Sequence, residues 1–175
     1  MKRGLVVLSV VGLMCAGVAT AAVQQGDTEV EALGGFLTEN AAGGGGDVSV
    51  WFLSGAVGYF LTDNIQVQGA AAWASLDNTT NVDVWALGAR AKYHFMPTNQ
   101  WVPYVGGQVL WANADAGNDF DGDGILWGPV AGLRYELNAN NDFFAEYQYH
   151  LWSGDVGDLI DDGHAIFVGI VHQFK

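Results

Sequence analysis

The side chains able to do chemistry fall into three groups. The run Asp119-Phe120-Asp121-Gly122-Asp123-Gly124 alternates carboxylates and turns on glycine, the arrangement with which a loop wraps a hard cation such as calcium. The closing acid of such a loop is missing, because Val130 stands at that place. Asp119, Asp121 and Asp123 therefore need ligands from Asp115, Asp155, Asp158, Asp161 or Asp162 to bind calcium. A solvated acidic loop that repels other chains is the simpler reading. The second group is His150-Leu151-Trp152-Ser153, since a serine nucleophile needs a base within hydrogen-bond reach. The spacing is one residue longer than His-x-Ser. The third group is Arg90, Lys92, Arg134, Glu136 and Glu146, charges set singly in apolar stretches. A charge buried without a partner is costly, so these must pair with one another if they are enclosed. Gly43-Gly44-Gly45-Gly46 lacks the Lys and Ser/Thr of a phosphate loop and reads as a loop tip.

The N-terminus has to be set aside before these groups can be placed. Met1-Lys2-Arg3 is basic, Leu5 to Val18 is apolar, and Ala19-Thr20-Ala21 offers small residues for cleavage. This pattern predicts a signal peptide over residues 1–21, removed near Ala21, and one domain over 22–175. The apolar run is too short for a retained spanning helix, which needs about 20 residues. The single cysteine, Cys15, leaves with the leader. What remains has Arg90, Lys92, Arg134 and Lys175 against all 19 acids. So acidic a chain does not bind nucleic acid through phosphates, and it attracts cations or basic surface partners.

Half of the residues are apolar and only 14% are charged, yet no apolar run after the leader approaches a membrane helix in length. Eight segments alternate with a period of two, near 28–37, 48–60, 65–74, 82–95, 101–112, 125–137, 143–152 and 164–174. Trp85, Leu87, Ala89, Ala91 and Tyr93 share one face, and Arg90, Lys92 and His94 share the other. Likewise Trp127, Ala131, Leu133 and Tyr135 oppose Arg134 and Glu136, while Tyr147 and Tyr149 oppose Glu146, Gln148 and His150. Glu29 and Glu31 fall on the charged parity of the first segment. One face is bulky and apolar, and the other is small and polar. That is the inverse of a soluble sandwich and the mark of an all-β, eight-stranded antiparallel up-and-down transmembrane β-barrel. Trp51, Trp73, Trp85 and Trp127 fall near one set of strand ends, and Tyr93, Trp101, Tyr135 and Phe174 near the other. These are two expected aromatic belts at the membrane interfaces. Short connections at 61–64, 96–100 and 138–142 alternate with longer polar ones at 38–47, 75–81, 113–124 and 153–163, which puts the short turns on the periplasmic side.

Val105-Gly106-Gly107-Gln108-Val109-Leu110-Trp111-Ala112, Gly128-Pro129-Val130-Ala131-Gly132-Leu133-Arg134-Tyr135-Glu136, Phe143-Phe144-Ala145-Glu146-Tyr147-Gln148-Tyr149 and Tyr59-Phe60-Leu61-Thr62-Asp63-Asn64 carry a resemblance to the OmpA-like small outer-membrane β-barrels. The chain resembles the eight-stranded barrel domain alone, and it departs from the family's aromatic C-terminal assembly signal by placing Lys175 after Phe174. The resemblance implies residence in the outer membrane of a Gram-negative bacterium. The implied partners are membrane lipid, lipopolysaccharide and the barrel-assembly machinery. Three functions follow as expectations. The first is a non-enzymatic structural or surface-interaction barrel, its lumen plugged by ion pairs and its external loops acidic, with no cofactor apart from the calcium candidate. The second is a narrow porin-like ion channel opened by re-pairing those charges. The third, and weakest, is a lipid-modifying hydrolase, because His150 and Ser153 loosely resemble the His-x-Ser region of lipid A deacylase barrels.

Overall fold

The computed structural model describes residues 23–41, 47–77, 81–115, 121–158 and 160–175. They form eight strands: β1 (Thr28–Ala41), β2 (Asp47–Phe60), β3 (Ile65–Asp77), β4 (Asn81–His94), β5 (Trp101–Asp115), β6 (Asp121–Asn138), β7 (Asn141–Gly154) and β8 (Ile160–Phe174). Each strand pairs antiparallel with the next, and β1 pairs with β8, closing the barrel. Closure gives every strand two hydrogen-bonded neighbours, the condition for placing a sheet in a medium that offers no hydrogen bonds.

Exposure follows the alternation seen in the sequence, with the usual chemistry inverted. Leu87 is 64% exposed and Leu53 61%, whereas Arg134 is 2% and Glu146 1% exposed. The outward face carries the large apolar residues and the inward face carries the charges. Of the expected belt residues, Trp73, Trp85 and Trp127 point outward on one side, and Tyr93, Trp101 and Phe174 are exposed on the other. Tyr135 sets its ring against that of Trp101, tilted by 49° with 4.5 Å between centroids. The side chain of Trp51 lies outside the described residues, as do the expected leader at 1–21 and Asp119.

Two expectations need correction. The strands run farther than the polar residues implied: β5 continues to Asp115 and β6 begins at Asp121, with Asp115 paired directly to Asp121 and Asn113 to Asp123. Acidic and amide residues disfavour strands when isolated, but a hairpin already in register extends through them because each step adds ladder hydrogen bonds. The connections on that side therefore shrink to 42–46, 78–80, 116–120 and 155–159, and they are no longer than the turn between β4 and β5. By the same extension Trp127 sits well inside β6 rather than at its end.

The opposite end is finished by residues 23–27. The Gly26 amide donates to the Phe60 carbonyl at 3.0 Å and the Phe60 amide to the Asp27 carbonyl at 3.0 Å. Val23 is buried there, its amide 3.3 Å from the Pro97 carbonyl.

Candidate functional site

The lumen is where the structure gathers its charge. Lys92 on β4 reaches Glu146 on β7 at 2.8 Å and Glu31 on β1 at 3.1 Å. Arg90 lies 3.4 Å from Glu31, and its Nε donates to Gln108 Oε1 at 3.2 Å. Nearer the short-turn end, Arg134 on β6 bridges Glu29 at 2.7 Å and also bonds Asp142. All of these side chains are buried, so their pairing offsets a desolvation cost that water would otherwise have met.

Neutral polar groups complete the network. Tyr104 donates its hydroxyl to Glu146 at 2.9 Å, and Gln148 donates to the same carboxylate at 2.5 Å. Gln108 donates to Gln148 at 2.9 Å. Gln68 donates to Glu31 at 3.0 Å, Gln66 bonds Glu29, and Gln173 donates to Asp142 at 3.0 Å. The Lys92 ammonium also stands 4.8 Å from the centre of the Tyr104 ring, a cation–π contact. Strand β2 contributes space instead of a polar group. A Cβ on Gly58 would come within 2.6 Å of Gln66 Nε2 and 3.0 Å of Glu29 Cγ.

Arg90, Lys92, Arg134 and Glu146 thus meet one another or Glu29 and Glu31. Glu136 does not join them. It is buried on the inward face opposite Asp142, but its Oε1 finds no hydrogen-bond partner among the described residues. Arg134 bonds Glu29 and Asp142 instead, although Glu136 stands two residues along its own strand on the same buried face. Asp142, Tyr104 and, apart from Gln148, the glutamines were not singled out in the sequence. Carrying the parity of Glu146 back along the strand would have found Asp142.

Above this network the interior changes character. Ala56, Ala70, Ala86, Leu110, Ala112 and Leu126 form one buried apolar cluster, with Trp152 packed against it. Leu33, Ala165 and Phe167 belong to a second cluster, with Phe52 packed against it. That second cluster also takes in Phe144 and Val171, and Phe167 lies in register with Glu146, so apolar packing stands beside the ion pairs there and beyond them, away from the short turns, at Leu110 and Leu126.

The remaining candidates separate. Asp121 and Asp123 are exposed on an extended strand instead of curling around a point. Asp123 accepts from the Trp111 indole at 3.2 Å and Asp121 from Asn113 at 3.3 Å. Among the described residues no group of three metal-ligating side chains comes together. His150 is buried in the lumen and bonds Gln148 at 3.0 Å. Ser153 is exposed on the other face and bonds the Ile125 carbonyl at 3.3 Å, so the two do not form a nucleophile and base. His164 is outward and within 2.6 Å of the Tyr147 hydroxyl.

A model of the outer membrane protein beta-barrel domain matches residues 7–174. The chain belongs to this family. No protein with a curated description matches the sequence. Among solved structures, Neisserial surface protein A is similar with a TM-score of 0.71 at 20% identity, covering 86% of this chain and 100% of that one. The N-terminal barrel of Pseudomonas aeruginosa OprF has a TM-score of 0.55 at 24% identity, covering 86% and 99%. Ail, the attachment invasion locus protein of Yersinia pestis, has 0.53 at 14%, covering 86% and 99%. At these identities the likeness is one of fold. The chain is an outer-membrane barrel of the small, OmpA-like kind.

Proposed function

We propose that this outer-membrane barrel is a closed, non-enzymatic scaffold with a structural or surface-interaction role. The observation that supports the reading is the packing of paired charges and apolar side chains inside the lumen. Buried ion pairs cross it from β1 to β4 and β6 and from β4 to β7, and apolar side chains pack beside them at Phe167 and beyond them at Leu110 and Leu126. An eight-stranded barrel leaves an interior just wide enough to be filled by side chains, and here they fill it with two kinds of packing. Opening an ion path requires more than re-pairing charges, because the apolar side chains packed beside and beyond them would remain.

The outward face takes lipid and lipopolysaccharide as its surroundings, and its formation depends on the barrel-assembly machinery. The rim away from the short turns exposes Asp115, Asp121, Asp123, Asp155, Asp158 and Asp161. No Lys or Arg lies at that rim among the described residues. It therefore favours cations or a basic surface partner over an anionic one.

Planar-bilayer recording on the purified barrel tests the central claim. No steady single-channel conductance is expected, and a stable conducting level would replace this reading with the narrow-channel one.

A further inference from the structure

The chain before β1 is tied to the barrel instead of trailing away from it. Gly26 has a φ of 92°, a left-handed conformation that glycine takes without steric cost, and it turns residues 23–27 across the short-turn end. Asp27 holds this turn. Its Oδ2 accepts from the Gln24 amide at 2.9 Å, and its own amide donates to the Gln24 carbonyl at 3.2 Å. The segment is then fastened at two places. At the β2–β3 turn the Gln25 amide donates to Asp63 Oδ1 at 2.8 Å, next to the bond from Gly26 to Phe60. At the β4–β5 turn the Val23 amide donates to the Pro97 carbonyl. Two whole strands, β2 and β3, stand between that turn and β1.

Val23 shows where the segment leads. A side chain turned away from this barrel is exposed, as those of Gln24 and Gln25 are, yet Val23 is 1% exposed. It is therefore turned into the mouth of the lumen. In the same half of the barrel, His94 Nδ1, Gln68 Oε1 and Glu136 Oε1 are buried with no hydrogen-bond partner among the described residues. Buried polar atoms that lack a protein partner are met by water. The wall is a closed ladder, and Leu110, Ala112 and Leu126 pack toward the other mouth. The short-turn mouth is thus the way in for water, and Val23 stands in it.

The fastening is light. Among the described residues no ion pair holds the segment, and Val23 is its one buried apolar side chain. The bonds of Gln25 to Asp63 and to the Leu61 carbonyl are exposed, so water can replace them. Few buried contacts and exposed hydrogen bonds mark a segment that opens locally while the rest stays folded. We propose that residues 23–27 are a lid, with Val23 as its stopper, that opens without unfolding of the barrel and admits water and small dissolved solutes from the short-turn side to the polar part of the lumen. The proposal rests on the reading that the lumen is closed toward the other mouth.

Thiol labelling of the folded barrel in detergent, with a small cationic reagent, provides the test. Each chain carries Cys15→Ser, so that the introduced cysteine is the only one. Gln24→Cys sets the rate of an exposed site. Val23→Cys is expected to react to completion but about ten- to thousandfold more slowly, the slowing given by an open state populated at about 0.1–10%. His94→Cys, behind the stopper, should also react slowly, and faster when Val23→Ala shrinks the stopper. Ala112→Cys, in the apolar cluster beyond, should stay unlabelled. The faster gel mobility of the unheated barrel reports folding throughout, and Gln68→Cys takes the place of His94→Cys should that variant fail to fold. No reaction at Val23→Cys would overturn the proposal by making the segment a fixed part of the barrel, and reaction as fast as at Gln24→Cys would overturn it by showing the stopper unseated. So would a His94→Cys rate that Val23→Ala leaves unchanged, or Ala112→Cys reacting as fast as His94→Cys. Failure of the closed-lumen reading looks different: the wild-type barrel would then conduct steadily in a planar bilayer, and the lid would fall with it.

Discussion

Glu146 shows what the enclosed charges contribute at the scale of one residue. Its carboxylate takes bonds from Lys92, Tyr104 and Gln148 together, at a position 1% exposed. Truncating one partner of a buried pair leaves the other charge without compensation, which costs about 3–5 kcal/mol. Glu146→Ala is expected to lower stability by that amount in denaturant unfolding from detergent, and an unchanged midpoint would show that Lys92 is held by Glu31 alone. Arg134→Met should cost at least as much by the same measurement, because it strands Glu29 and Asp142 beside Glu136. Replacing Glu136 is a useful contrast. With no hydrogen-bond partner on its Oε1, Glu136→Gln is expected to leave stability unchanged or raise it.

At the scale of the strands, the interior is fitted together by rings lying over glycines. Tyr104 pairs with Gly132, Phe144 with Gly169 and Phe167 with Gly35. A Cβ would come within 2.3 Å of the Tyr104 ring at Gly132, 2.6 Å of the Phe144 ring at Gly169 and 2.5 Å of the Phe167 ring at Gly35. Each ring takes the volume its partner gives up, and in the first pair this aims the Tyr104 hydroxyl at Glu146. Overpacking a well-filled interior costs about 1–3 kcal/mol. Gly132→Ala is expected to destabilise by that amount, and Tyr104→Ala in the same chain should relieve part of the loss. Purely additive effects in that double-mutant cycle would sink the idea that the two residues share one space. Gly128 is a separate case. Its φ of 155° and its approach to the Tyr149 carbonyl belong to a local irregularity where β6 meets β7, and neither Gly128 nor Pro129 has a register partner there.

For the whole molecule, the decisive property is which solvent each face meets. Leu87 stands at the middle of β4 and is 64% exposed. In a bilayer an arginine at such a midplane position costs about 2–4 kcal/mol. Leu87→Arg is expected to lose that much stability in lipid vesicles, and a harmless substitution would place this face in water. The same scale governs conduction. With apolar side chains packed beside the ion pairs at Phe167 and beyond them at Leu126, Glu146→Gln is expected to leave a planar bilayer silent, whereas Leu126→Ser combined with Phe167→Ser should admit ions first. The opposite ranking would mean that the charges alone hold the lumen shut.

The sequence by itself determined the period and the polarity of the strands. Alternation is local, so Arg90, Lys92, Arg134, Glu136 and Glu146 could all be assigned to the inside from their own neighbours in the chain. It also determined the inversion, because residue type alone shows that the bulky face is the apolar one. Only the tertiary structure decided who meets whom. Arg134 finds Glu29, 105 residues away, and that partnership depends on how far the strands are staggered when β1 closes on β8. Stagger is a property of the ring as a whole and leaves no trace in any single strand. For the same reason Glu136, in sequence as good a partner as Glu146, is left aside, and the ladder runs on through Asp121 and Asp123 where their residue types argue for a loop. The apolar packing of the interior arises likewise from side chains of many strands brought together.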